Sequence, residues 1–321
     1  MRIVFLGTPD FAAHSLQALL EAKLNIVAVI TAPDRKAGRG QKVQQSAVKK
    51  LALEHQLPCL QPTNLKDPSF IEELKSYNAE LQIVVAFRML PEVVWDMPPK
   101  GTMNLHASLL PAYRGAAPIN WAIINGEEKS GVSTFLLKHE IDTGEILKQR
   151  EVKIESRETA GSLHDKLMEV GAELLVESAH ELAKGEVKAI PQSELLPEGK
   201  ALSDLPHAPK IFREDCKIDW SKSIIEVDQK IRGLSPYPTA WTSLVRKSDG
   251  KKFNLKIYNC LPGETKSAVK GQISSKASQL FISTADFELE ILELQLEGKK
   301  RMNAKDFLNG VNLEDYESIL S

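Results

Sequence analysis

Residues 104–118 read NLHASLLPAYRGAAP, setting Asn104 and His106 two positions apart and following them with two prolines, a glycine and an arginine. In an extended segment, residues two apart point to one face, so an amide and an imidazole can enter the same pocket. A third polar group, Asp142 in HEIDTGEI, follows the apolar run VSTFLLK and stands just before Gly144, which places it at another strand end. Singly, each has a plain structural explanation: a strand histidine is most often a hydrogen-bonded structural residue, and an aspartate near a glycine shapes a turn. Together they supply complementary functions at one carbonyl. The Asn104 amide and a ring N–H of His106 can donate to an oxygen on which negative charge develops. Asp142 can fix the imidazole tautomer and accept a proton, directly or through water. No serine, cysteine or lysine stands as an obvious nucleophile, which points to direct acyl transfer to an incoming amine. The prolines and Gly115 fix an irregular backbone that exposes main-chain groups to a flat polar ligand.

The elements around these residues predict where they sit. RIVFLG, NIVAVIT and LQIVVAF are short apolar runs that alternate with the helical patterns FAAHSLQALLEA, SAVKKLALEHQ and PSFIEELKSY. That alternation predicts an α/β fold, a doubly wound, mostly parallel, Rossmann-like sheet whose ligands lie at the carboxyl ends of its strands. The first turn, GTPDF, has one glycine, so the GxGxxG fingerprint of dinucleotide binding is missing. A long amphipathic helix follows from SLHDKLMEVGAELL, then the proline-rich polar stretch EVKAIPQSELLPEGKALSDLPHAPK, which reads as a linker. Beyond it, KIDWSKSIIEVDQKIRGLS predicts a helix, and WTSLV, FNLKIYNC, GQISS, QLFIST and ELEILELQLEG predict the short strands of a small OB-like β-barrel. The expected domains are a catalytic domain over 1–188, a linker over 189–206 and a C-terminal barrel over 207–321.

With 321 residues, 42% hydrophobic and 26% charged, the chain can bury two cores and has an ordinary globular composition. No apolar run reaches the roughly 18 residues of a spanning helix, and the N-terminus reads as a first strand, so a cytoplasmic protein without a targeting peptide is expected. The three cysteines form no CxxC pair, which suggests free thiols and no metal site. A net charge of −2 argues against bulk electrostatic capture of nucleic acid but leaves room for local basic faces. Two such places stand out: Arg35, Lys36, Arg39 and Lys42 in a loop rich in glycine, and Lys299, Lys300 and Arg301 near the C-terminus. Each could equally be a solvated surface.

NLHASLLPAYRGAAPINWAI followed by DTGEIL resembles the signature of the formyltransferases that use formyl-tetrahydrofolate, and Asn104, His106 and Asp142 match that family's catalytic trio. RIVFLGTPDFAA, PDRKAGRG, IDWS, SPYPTAW and LEGKKRMNAKDFLNG extend the resemblance across the chain, to the branch whose acceptor is initiator Met-tRNA. The resemblance implies 10-formyltetrahydrofolate as formyl donor, held beside Ser108, Leu109, Leu110 and Pro111. It implies tRNA contacts by the loop, with Arg39 aligned to the family's loop arginine, and by the C-terminal domain of a monomer. Two departures from the family pattern are visible: Ala107 stands where glycine is common, and VVAFRMLP is one residue short, with Arg88 for a glycine. Phe87 and Arg88 thereby fall at the edge of the implied pterin pocket. Other acceptors remain open at this level, a nucleotide sugar or a glycinamide ribonucleotide, as does a catalytically silent RNA-binding protein on the same fold.

Overall fold

The computed structural model describes residues 1–37 and 42–317. It divides into two compact units, one built from 1–115, 130–153 and 165–207, the other from 116–129, 154–164 and 208 onward.

The first unit is layered around a seven-stranded sheet. Its strands are β1 (Arg2–Gly7), β2 (Asn25–Ile30), the hairpin β3 (Arg35–Ala37) and β4 (Lys42–Gln44), β5 (Cys59–Leu60), β6 (Leu81–Val85), β7 (Thr102–His106), the two-residue β8 (Arg114–Gly115), β9 (Lys129–Leu136) and β10 (Ile146–Lys153). The main sheet runs β10-β9-β7-β6-β1-β2-β5, with β5, β2, β1, β6 and β7 mutually parallel. Helices α1 (Asp10–Glu21), α2 (Ala47–Glu54) and α3 (Pro68–Ser76) connect the strands, and the single turn α4 (Glu92–Trp95) precedes β7. Every residue of β6 is buried, as is β1 after Arg2, which is why these strands read as unbroken apolar runs. Ser46 caps α2 through Lys49 N–H, and Asp67 caps α3 through Ser69 and Phe70 N–H. The chain builds outward from β1 through β2 to β5, then returns to β6 on the other side of β1, so the switch point lies between β1 and β6. Ligands of such sheets bind outside the strand ends there. Gly7 closes β1 at that point, where a Cβ would lie 2.5 Å from that of Ala12.

The second unit carries α5 (Pro118–Ile124), the start of α6 (Ala160–Lys184), part of the short strand β11 (His207–Ala208) and α7 (Ile224–Leu234). Its antiparallel sheet comprises β12 (Ala240–Arg246), β13 (Lys252–Lys266), β14 (Ile273–Lys276), β15 (Gln279–Ser283), β16 (Phe287–Leu296), β17 (Met302–Asn303) and β18 (Tyr316–Glu317), with α8 (Ala304–Gly310) between the last two. The order is β14-β15-β16-β13-β12-β18, with β17 on β16. Register shifts along the β13–β16 pair mark bulges, which bend long strands and raise their twist. Val227, Ile231 and Leu234 of α7 bury against Leu244, Leu255, Ile257 and Ile291.

The expected domain boundaries differ from these units in two places. Segments 116–129 and 154–164 belong with the C-terminal residues: Asn120 donates to Gly233 O at 2.7 Å, and Arg157 ion-pairs the buried Asp228 at 2.8 Å. The stretch read as a linker joins the first unit instead, because Ile190 exchanges two backbone hydrogen bonds with Ile146 and Gln192 is buried. The predicted helix over 217–235 begins only at Ile224, where Ser223 and Glu226 form a capping box. No helix among the described residues is long and apolar enough to cross a membrane.

Candidate active site

Asn104 and His106 lie two apart on β7, flanked by β6 and β9, with Asn104 opposite Phe135 and His106 opposite Ser133. The His106 ring is nearly buried, 8% exposed. Its Nε2 lies 2.9 Å from Tyr113 O. A carbonyl can only accept, so Nε2 carries the hydrogen and donates it, which assigns the tautomer of the neutral ring. Nδ1 is then the nitrogen left for chemistry, and it faces Asp142 Oδ2 at 4.0 Å. That is beyond hydrogen-bonding distance; a shift of about 1 Å would close it. Asn104 is half-buried on the same strand face, and its side-chain amide has no hydrogen-bond partner among the described residues.

Asp142 arrives by a route the strand-end expectation did not contain. Because β9 is antiparallel to β7, its last residue, Leu136, pairs with Met103 near the start of β7, the wrong end for the site. The loop 137–145 doubles back instead. Asp142 adopts φ +55°, and Gly144 packs so tightly that a Cβ would lie 1.6 Å from Leu136 O, so no side chain fits there. Asp142 Oδ2 accepts from Gly115 N–H at 2.9 Å. The glycine of the GAAP segment thus offers its backbone N–H to the Asp142 carboxylate.

Ser108, Leu109, Leu110 and Pro111 leave the end of β7 as a loop pinned by polar groups that periodicity could not single out. Ser108 Oγ donates to Ala112 O and Ser133 Oγ to Ser108 O, both at 2.7 Å. Gln149 Nε2 donates to Leu110 O at 2.7 Å and to Ser133 Oγ at 2.8 Å. Against this loop opens a cavity of about 420 Å³, with Leu109, Leu110, Pro111 and Leu195 as apolar wall and Gln149 as polar edge. Phe87 and Arg88 lie apart from it, after β6. Phe87 packs partly on the core, while Arg88 donates to Thr63 O at 3.0 Å and to Pro62 O, at the rim of a second cavity of about 970 Å³. The substitution of arginine for glycine therefore ties the segment after β5 to the one after β6.

The candidate tRNA-binding residues fall into two groups. Arg35 is exposed on β3, in a segment read from the sequence as a glycine-rich loop, whose described ends pair antiparallel. Arg39 and the side chains of Lys36 and Lys42 lie outside the described residues. In the second unit Lys299 and Lys300 are exposed. Arg301 is engaged: its Nε donates to Glu293 at 2.6 Å, and its guanidinium stacks 4.1 Å from the Tyr258 ring centre. Among the described residues, no cluster of three His, Cys, Asp or Glu could hold a metal.

The model of a family described as formyl transferase matches residues 1–179, and that of the formyl transferase C-terminal domain matches residues 210–312. The chain belongs to the formyl transferase family. Within the family it is 52% identical to the methionyl-tRNA formyltransferase of Parabacteroides distasonis over 313 residues, 97% of this chain and 95% of that protein. It is 50% identical to the methionyl-tRNA formyltransferase of Bacteroides fragilis over 317 residues, 98% and 96% of the two. Two solved structures share the fold at lower identity. HypX from Aquifex aeolicus in complex with tetrahydrofolic acid superposes with a TM-score of 0.64 at 20% identity, covering 96% of this chain, which spans about half of that protein, 47%. An N-formyltransferase from Helicobacter canadensis, in complex with folinic acid and dTDP-3-aminofucose, superposes at 0.60 with 18% identity, covering 90% and 98% of the two chains.

Proposed function

We propose that the chain transfers a formyl group from 10-formyltetrahydrofolate to the α-amino group of methionine esterified to initiator tRNA. The observation that carries this reading is His106 facing Asp142, two residues along β7 from Asn104, in a chain half-identical over nearly its whole length to methionyl-tRNA formyltransferases. An α-amino group titrates near pH 8, so a useful fraction is already neutral and nucleophilic. The protein's work is to orient it, to take its proton and to stabilise the oxyanion.

The amine attacks the formyl carbon, a C–N bond forms, and the carbonyl oxygen takes negative charge. The Asn104 amide, without a partner among the described residues, is the donor suited to that oxygen. With Nε2–H committed to Tyr113 O, His106 takes the amine's proton on Nδ1. The imidazolium then lies 4.0 Å from the Asp142 carboxylate. Opposite charges at that separation attract by about 4 kcal/mol at an effective dielectric near 20, before desolvation is charged against it. The same proton then passes to the folate nitrogen as its bond to the formyl carbon breaks, which returns the ring to its starting form. Ser108, Leu109, Leu110 and Pro111 line the donor's side of the reaction, and Phe87 and Arg88 lie toward its pterin. Arg35, Lys36, Arg39 and Lys42 approach the acceptor end of the tRNA. Lys299 and Lys300 hold its backbone, with Arg301 stacked beside them. The experiment that tests the reading is folate turnover with Met-tRNA, with an amino-sugar nucleotide, and with neither. Turnover on Met-tRNA alone is expected. Equal or greater turnover on the sugar would overturn it.

A further inference from the structure

Gln192 lies in the stretch whose composition suggested a mere linker, yet its side chain is 3% exposed and uses all of its hydrogen-bonding capacity. Nε2 donates to Asp142 O and to Gly144 O, each at 2.8 Å. Oε1 accepts from Arg114 Nε at 3.1 Å and from Arg114 Nη2 at 2.5 Å. A primary amide has two donors and one oxygen with two lone pairs, so every position is filled. The two carbonyls it grips bracket Thr143, in the part of the doubled-back loop where Asp142 holds φ +55° and Gly144 admits no Cβ. A backbone held in so sparsely populated a conformation persists only where its surroundings over-determine it. Gln192 comes from fifty residues downstream and is fixed in place by the Ile190–Ile146 backbone pair. Arg114, its other partner, directly precedes Gly115, whose N–H holds the Asp142 carboxylate. The amide therefore clamps both segments that set where that carboxylate points.

We infer that Gln192 is a positioning residue for formyl transfer, holding the Asp142 loop and Arg114 so that the Asp142 carboxylate faces His106 Nδ1. The inference rests on the proposed role of Asp142. Methionine has nearly the size of glutamine but can neither donate to the two carbonyls nor receive Arg114 as the amide does. Gln192→Met should lower kcat by about 10- to 100-fold, the usual cost of a misplaced catalytic group, while KM for the folate changes less than about threefold. The decisive measurement is a double-mutant cycle with Asp142→Asn. If Gln192 acts through Asp142, its replacement costs less than about threefold once the carboxylate is gone. An equal cost in both backgrounds would make Gln192 an ordinary structural residue and overturn the inference, as would a wild-type rate in Gln192→Met. Should the methionine variant fail to fold, Gln192→Glu, which keeps the acceptor for Arg114 and loses the donor, is put through the same cycle and judged by the same outcomes. A near wild-type rate in Asp142→Asn alone is a different failure: it removes Asp142 from the chemistry and takes this inference with it.

Discussion

The tautomer of His106 decides how the three polar residues divide their work. Read from the sequence, a ring N–H of His106 stood beside the Asn104 amide as an oxyanion donor from the outset. In the structure the hydrogen on Nε2 is spent on Tyr113 O, so a neutral ring has no second N–H to offer, and His106 must first gain a proton on Nδ1. In the proposed mechanism Asn104 is then the donor present throughout, and His106 with Asp142 form a proton-handling pair. Asn104→Ala, His106→Ala and Asp142→Asn should each lower single-turnover formyl transfer by about a hundredfold or more, with little change in tRNA affinity. A variant that formylates Met-tRNA at close to the wild-type rate would lose its place in this scheme. Because His106 and Asp142 act as a unit, their double variant should be little slower than the worse single one.

At the scale of elements, the parallel sheet was legible because strands buried on both faces must be unbroken apolar runs, and the amphipathic spacing of α1 is equally plain: Phe11, Ala12, Leu16 and Leu19 are all buried. The Asn104–His106 pair was legible for the same reason, since a strand's period of two needs no tertiary information. What could not be read was everything that depends on a long-range fold-back. The antiparallel course of β9, the doubling of loop 137–145, and the glutamines at 149 and 192 are set by contacts between segments far apart in sequence, and a polar residue on a strand or in a loop carries no local mark of its partner. Gln149 is the test case. It pins Leu110 O and Ser133 Oγ together beside the implied folate pocket; Ser133 Oγ keeps its bonds to Ser108 O and Leu110 N–H, so Gln149→Leu chiefly leaves the Leu110 carbonyl short of a partner, at about 1–3 kcal/mol if it stays buried. Relaxation of the loop should raise KM for formyl-tetrahydrofolate about tenfold and alter kcat less. An unchanged KM would show that the loop is held without it.

At the scale of the molecule, the two units are threaded through one another along the sequence, and a cut at the apparent linker does not follow their boundary. A fragment ending at Pro206 keeps α5 and Arg157 while removing α7 and Asp228, their partners within the second unit. It should melt at least about 10 °C below the intact protein, given that roughly 2–4 °C are lost per kcal/mol in a chain of this size; a fragment as stable as the whole would show those contacts to be idle. The basic groups of the second unit differ in the same structural way. Lys299→Ala and Lys300→Ala should each weaken tRNA binding and reduce the slope of log affinity against log salt by about 1, as expected for one phosphate contact apiece. Arg301→Ala should change that slope less, since Glu293 already balances its charge. The threading also imposes an order on biosynthesis. Helix α5 leaves the ribosome about a hundred residues before α7 exists, an interval of about 5–20 s at ordinary elongation rates. Through that time α7, against which α5 packs, does not yet exist. The nascent chain must therefore hold an early piece in reserve for a late one, and the second unit, which owns residues from 116–129 and 154–164, can close only after α7 and the strands that follow it have been made.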